Sequence, residues 1–367
     1  MSSPSSPESA LAPAGRETKV ARKSSRLLRT IAAYEHCVIV AHDNPDPDAI
    51  AAGWGLQRLF QERLNRDVRI LAGGAIVRAE NRHMVELLMP PIELVDDLEI
   101  PQGTASILVD CGVGATNHLL TRERIQPVAV IDHHPYCRNG SGGNLQFKDI
   151  RTHVAASASI VASYLREQGV DPGVKLATAM LYAMRAETRG CEFRYSRLDR
   201  AALTWLTARA EPSLLAAIES APLDREYFGD LALALQNTFV YDDAAFCVLP
   251  RAASAEIVGE VADLLIRCRG VRRVFCGAVV GDDLFTSVRT APDDGDAVAL
   301  LRPLLENIGH GGGHAHRAGG KIAGACRGPK VGEELYDELR NRWLSVCAVD
   351  RQRGTRLVAK REIIDAL

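Results

Sequence analysis

EHCVIVAHDNPDPDAIAAGWGL, residues 35–56, is the stretch on which the reading of the fold turns. Its opening, EHCVIVA (35–41), is a short β-branched run of the kind that forms a buried strand. From Asp48 the apolar residues return at helical spacing through Ile50, Trp54, Leu56, Leu59 and Phe60. His42, Asp46 and Asp48 therefore fall on a strand-to-helix loop, with Asp48 expected to cap the helix. Pro45 and Pro47 stiffen that loop, so three potential metal ligands are presented in a small volume. An Asp- and Pro-rich turn is ordinary by itself, and what gives this one weight is the recurrence of Asp and His at equivalent places downstream.

Working outward, the chain has 367 residues, enough for two domains with a core each. It is 47% hydrophobic and 25% charged with a net charge of −2, so nothing in the overall balance marks it for long duplex nucleic acid or an acidic membrane surface. Nine cysteines, at 37, 111, 137, 191, 247, 268, 276, 326 and 347, show no C-x-x-C pair or regular spacing. A reducing, cytoplasmic location is the expectation. No apolar run approaches the roughly 18 residues of a membrane span. Residues 1–24 are expected to be a disordered tail, because the first 20 are rich in Ser, Pro and Ala without an apolar signal-peptide core.

Short β-like runs then alternate with helical stretches. Strands are predicted at 36–41, 67–72, 92–95, 105–109 and 127–131, with helices at 48–64, 79–88, 154–169 and 172–187. This alternation predicts an α/β domain over 25–196, a mostly parallel sheet with helices on both faces. Residues 197–242 read as a helical connector. A smaller C-terminal α/β domain follows over 243–348, with strands at 245–249, 272–280 and 284–289 and helices at 253–267, 296–308 and 331–346. It contains the glycine-rich segment GHGGGHAHRAGG (309–320), and residues 349–367 are left as a basic tail without a clear partner.

In parallel sheets, ligands gather outside the carboxyl ends of the strands. His42 follows the first strand, Asp110 ends ILVD, and Asp132, His133 and His134 end AVIDHH; Glu187 closes the helical run KLATAMLYAMRAE. Carboxylates and imidazoles without thiolate suit Mn²⁺ or Mg²⁺, with Zn²⁺ or Co²⁺ able to substitute. So many converging anionic oxygens call for two cations, and a pair roughly 3.5–4 Å apart activates water for phosphoester hydrolysis. In the glycine segment, residues without side chains let backbone N–H groups approach phosphate oxygens, and His314, His316 and Arg317 could add charge or base stacking.

HDNPDPDAIAA, ILVDCG, VIDHHP and GHGGGHAHRAGG, in this order over roughly residues 28–345, resemble the motifs of the DHH/DHHA1 phosphoesterases. That family includes nanoRNase/pAp-phosphatase enzymes, cyclic-dinucleotide phosphodiesterases and the exonuclease RecJ. The resemblance implies that His42 and Asp46 bind one Mn²⁺, that Asp48 and His133 bind the other, and that Asp110 bridges both. Asp132 and His134 would orient the loop or touch the scissile phosphate. Glu187 stands where the family usually has Asp, as the last ligand of the second ion. Gly311, Gly312, Gly313 and His314 would bind substrate, with Ser287 and Arg289 beside them.

Arg289 could grip a terminal phosphate bidentately, whereas Arg185 is read as a helix-surface residue and Cys111 as a small buried one. The expected activity is Mn²⁺-dependent hydrolysis of short oligoribonucleotides, linear dinucleotides and 3′-phosphoadenosine 5′-phosphate. A cyclic-dinucleotide phosphodiesterase is the alternative, and a non-catalytic nucleotide-binding protein with a relict site is the rival of another class. Relatives of this kind are often dimers, so the resemblance also implies a homodimer.

Overall fold

A computed structural model describes residues 22–112, 114–134, 145–188, 195–292, 295–314, 316–325, 332–349 and 354–358. Its contacts divide the chain into a unit ending at Ser220 and a second unit beginning at Ala221, to which Val77–Ala79 also belongs.

The first unit runs α1 (Lys23–Ala32), β1 (Cys37–Val40), α2 (Pro47–Leu64), β2 (Arg69–Ala72), α3 (Ala79–Leu88), β3 (Ile92–Leu94), β4 (Ala105–Val109) and α4 (Leu119–Arg122). It continues with β5 (Ala129–Asp132), β6 (Phe147–Ile150), α5 (Ser157–Gln168), α6 (Gly173–Thr188), α7 (Arg197–Thr207) and α8 (Pro212–Glu219). Six strands form one sheet in the order β3-β2-β1-β4-β5-β6, every pair parallel.

Alternate strand residues supply two cores, as a period of two requires. Ile39, Ile70, Ile107, Val109, Ala129 and Ile131 join the large cluster under α1, α2, α5 and α6. Val38, Val40, Leu71, Leu108 and Val130 join a smaller cluster closed by Leu119 and Leu120 of α4 and by Leu98. Beyond β1 the strand order runs back through β2 to β3, and beyond β4 it runs on to β6. The switch point therefore lies between β1 and β4, where ligands bind in open parallel sheets.

The second unit comprises α9 (Arg225–Asn237), β7 (Phe239–Tyr241), β8 (Ala244–Leu249), α10 (Glu256–Leu265), β9 (Arg273–Val280), β10 (Asp283–Thr290) and α11 (Ala297–Leu305). β11 (His310–His314), β12 (Arg317–Ile322), α12 (Glu333–Val346) and β13 (Thr355–Arg356) complete it. Its seven-stranded mixed sheet has the order β11-β12-β10-β9-β8-β7-β13, with β8 and β9 parallel and the other pairs antiparallel. One face packs against α11 and α12 around Phe246, Phe275 and Trp343. The other packs against α9 and α10.

Several local readings are corrected. α1 begins at Lys23, inside the stretch expected to be tail, and residues 1–21 lie outside those described. β6 escaped the sequence reading because only Phe147 and Asp149 of FKDI are buried. The glycine segment, for which no element was predicted, contributes a strand pair, β11 with β12. Thr355 and Arg356 of the expected C-terminal tail pair with β7. The stretch read as a connector contains three helices and β7; α7 and α8 belong to the first unit, α9 to the second.

Candidate metal centre

The loop after β1 is tied down at both ends. Asp46, rather than Asp48, is the N-cap of α2: its Oδ1 accepts from the backbone N–H groups of Asp48 and Ala49 at 2.9 and 3.0 Å, with Pro47 in the first helical position. Asp48, 1% exposed, points inward and caps a different helix. Its Oδ2 and Oδ1 accept from the N–H groups of Ser157 and Ala158, both at 2.7 Å, at the start of α5. That helix begins three residues later than predicted, which frees the Val154 carbonyl to meet His133 Nδ1 at 3.3 Å.

Asp110 sits at the centre. It is 2% exposed and left-handed, with φ +56°, a conformation Asp tolerates better than most residues. Ser157 Oγ donates to its Oδ1 at 2.8 Å. His133 Nε2 lies 3.5 Å and His134 Nδ1 3.8 Å from the same oxygen, while His42 Nε2 lies 3.7 Å from Oδ2 and 3.8 Å from Asp46 Oδ1. His133 Nε2 is also 3.7 Å from Asp48 Oδ2. These separations exceed hydrogen-bonding distance and suit donor atoms standing about 2 Å from a shared cation.

Among the described residues, two groups have ligand atoms within 4.8 Å of one another: His42 with Asp46 and Asp110, and Asp110 with His133 and His134. Both contain Asp110. Asp48 stands beside the second group through His133, and Asp132 orders it: Oδ1 accepts from the His133 and His134 N–H groups at 2.8 and 3.1 Å and meets His134 Nδ1 at 2.8 Å. Glu187, in the last turn of α6, is near enough for its charge to act on Asp110 but is in neither group. Arg185 pairs with Glu219, Nε to Oε1 at 2.6 Å, as a surface residue would. Ser157 has no sequence signature beyond lying in a predicted helix, and so was missed.

The electrostatics favour cations. Burial, reinforced by the Asp46 charge, pushes Asp48 up to about 7. Burial and the charges of Asp48, Asp46, Asp132 and Glu187 raise Asp110 well above the usual carboxyl range. Burial opposes protonation of His42, yet the adjoining Asp46 carboxylate takes it to about 9; burial likewise opposes His134, which Asp132 raises. Protons thus offset part of the repulsion here, a role divalent ions fill better. The oxygen and imidazole donors fit hard or borderline divalent ions. Burial and the neighbouring carboxylates keep the Cys111 thiol neutral, so it is neither thiolate ligand nor nucleophile.

In the second unit, strand register sets Ser287, Arg289 and Gly312 on one sheet face, while Gly311 and Gly313 alternate to the other. Ser287 lies opposite Gly319, which lies opposite Gly312. To one side, Arg289, Arg317 and His314 are in register; to the other, Phe285, Lys321 and His310. Gly312 has open space where a Cβ would stand, whereas at Gly311 a Cβ would come within 2.6 Å of the Gly319 carbonyl. Gly313 has φ +151°. Arg289 is turned toward α10: Nε bonds to Asp263, and Nη1 donates to Ser287 Oγ at 2.5 Å. A phosphate would have to share it.

Comparison with known proteins agrees with this architecture. Residues 36–184 match the DHH family, N-terminal domain. Over 286 residues the chain is 31% identical to an uncharacterized protein of Methanocaldococcus jannaschii, covering 78% of this chain and 57% of that one; it thus spans a little over half the length of this curated relative. An exopolyphosphatase-related protein from Bacteroides fragilis has a TM-score of 0.69 at 17% identity, covering 89% of this chain and 98% of that one, which shows a shared fold. RecJ from Thermus thermophilus, in complex with Mn²⁺, has a TM-score of 0.41 at 16% identity, covering 89% of this chain and 54% of RecJ. The strand-end Asp and His residues gathered at the switch point of the parallel sheet thus lie within the segment, residues 36–184, that matches the N-terminal domain of the DHH family.

Proposed function

We propose that this protein is a Mn²⁺-dependent phosphoester hydrolase acting on short oligoribonucleotides, linear dinucleotides and 3′-phosphoadenosine 5′-phosphate. The observation that carries the reading is the pair of ligand groups meeting at Asp110. A pair of divalent ions bound there supplies an activated water and takes up charge on the phosphoryl oxygens. His42, Asp46 and Asp110 would hold one ion; Asp110, His133 and Asp48 would hold the other, and Glu187 would approach it from α6.

The remaining residues have positioning and proton roles. Ser157 Oγ and the α5 N-terminus fix the Asp110 and Asp48 carboxylates, so little reorganisation accompanies ion uptake. Asp132 holds His134 by its ring Nδ1 and favours the protonated imidazole. His134, 34% exposed, is the group placed to meet the phosphate or to deliver a proton to the departing oxygen. In the second unit, Gly312 on the edge strand β11, with open space where a Cβ would stand, would let a phosphate approach the main chain, flanked by Arg289, Arg317 and Lys321. Gly311 and Gly313 shape that strand pair, and His314 ends it.

The test is hydrolysis of pApA, 3′-phosphoadenosine 5′-phosphate, cyclic di-AMP and pyrophosphate with Mn²⁺, with Asp110→Asn as control. Turnover of the first two that the substitution abolishes is the expected result. Preference for cyclic di-AMP would reassign the substrate, and absence of turnover on all four would refute the reading.

A further inference from the structure

The ligand loop has a brace that the metal groups do not include. His42 Nδ1 lies 2.9 Å from the Asp43 carbonyl oxygen, a contact that turns Nε2 toward Asp46 and Asp110. Asp43 is held from two sides: its N–H donates to the Asn117 carbonyl at 2.7 Å, and its Oδ1 accepts from Arg122 Nη2 at 2.9 Å. Arg122 stands in the last turn of α4, the element that closes the opposite face of the sheet. His42 and His118, at the N-cap of that same helix, form an isolated bridge.

Gly73, which follows β2, leaves the space this brace needs. A Cβ there would collide with both Asp43 Oδ1 and Arg122 Nη2, although nothing in the backbone conformation of Gly73 demands glycine. Its carbonyl accepts from the Asn44 N–H at 2.9 Å, so the strand end also supports the loop directly.

An ion pair with side chains 44% and 21% exposed adds only about 0–1 kcal/mol to stability. Global stability therefore gives little reason for clearing space around it. Ring orientation does, because a histidine ligand held through its second nitrogen loses about 10–100-fold in metal affinity when that support is removed.

We propose that Arg122 is a positioning residue for the ion held by His42, Asp46 and Asp110, acting through Asp43 on the His42 ring, with Gly73 providing the clearance. The inference rests on the metal-centre reading and concerns one ion of the pair. His133 is oriented separately, by the Val154 carbonyl, so the other ion is not subject to this brace.

The experiment is equilibrium dialysis of the full chain against Mn²⁺ without substrate, counting bound ions and their affinities, alongside thermal unfolding of the ion-free protein. The unmodified protein should bind two ions. Arg122→Ala and, independently, Gly73→Ala should weaken one ion about 10–100-fold and leave the other within about twofold. Arg122→Lys, which keeps a charge for Asp43, should restore most of the lost affinity. Unfolding temperatures should stay within about 4 °C. Two ions at unchanged affinity in Arg122→Ala would overturn the proposal, as would equal weakening of both ions with a lowered unfolding temperature. An unmodified protein that bound no Mn²⁺ would overturn the metal-centre reading as well.

Discussion

Asp110→Asn should make the ion-free protein more stable and the protein in Mn²⁺ no more stable than without it. The substitution keeps shape, keeps an oxygen for the Ser157 hydroxyl and keeps a residue type that accepts φ +56°. It removes the buried carboxyl that Asp48, Asp46, Asp132 and Glu187 all disfavour as an anion. Relief of such crowding is worth about 1–3 kcal/mol, the scale on which functional polar clusters reduce stability. For a unit of this size that raises the unfolding temperature by roughly 3–10 °C.

Ion binding gives the opposite ranking. At 100 times the dissociation constant, an ion stabilises the native state by about 2.7 kcal/mol, so the unmodified protein should gain roughly 5–10 °C on adding Mn²⁺. The variant, lacking the shared ligand, should gain less than about 1 °C. Differential scanning fluorimetry with a chelator and then with Mn²⁺ reads both effects. A variant less stable than the parent under chelation, or one that gains as much from Mn²⁺, refutes the reasoning.

Removing ions should expose a pH dependence: Asp48, raised to about 7, contributes stability that is complete below its unfolded value near 3.8 and is lost as pH climbs through about 7. The ion-free unfolding temperature should therefore fall across that window, while Mn²⁺ affinity, measured by dialysis, rises across it because uptake must displace the proton. Asp48→Ala should cost about 2–4 kcal/mol in urea unfolding, since it strands two buried N–H groups at the start of α5. Gly311→Ala should destabilise the second unit by about 1–3 kcal/mol because its Cβ meets the Gly319 carbonyl, whereas Gly312→Ala, with open space, should leave the denaturation midpoint within about 0.5 kcal/mol.

The strand ends were legible because a continuous apolar run that stops abruptly at Asp or His fits a central strand delivering a polar group to the sheet edge. CVIV, ASILV and AVID are buried almost throughout, as central parallel strands require. What could not be read depends on contacts distant in sequence. Asp48 looked like a local cap and instead caps a helix 109 residues away. Ser157 and the Val154 carbonyl act only because α5 starts where it does. Glycine admits both loop and strand conformations, so the pairing of β11 with β12 was not visible in the run of glycines. Arg289 is drawn to Asp263, a partner 26 residues away on α10 that no strand pattern reveals.

On the proposed function Asp48 would be both a neighbour of the reacting centre and the clasp between the beginnings of two helices, which makes it a poor choice for preparing an inert protein. A dead variant intended to capture an uncut substrate has to spare that clasp and strike where chemistry and architecture part company. On the proposed function His134, partly open to solvent and bonded through its ring Nδ1 to Asp132 of the same loop, would be such a place.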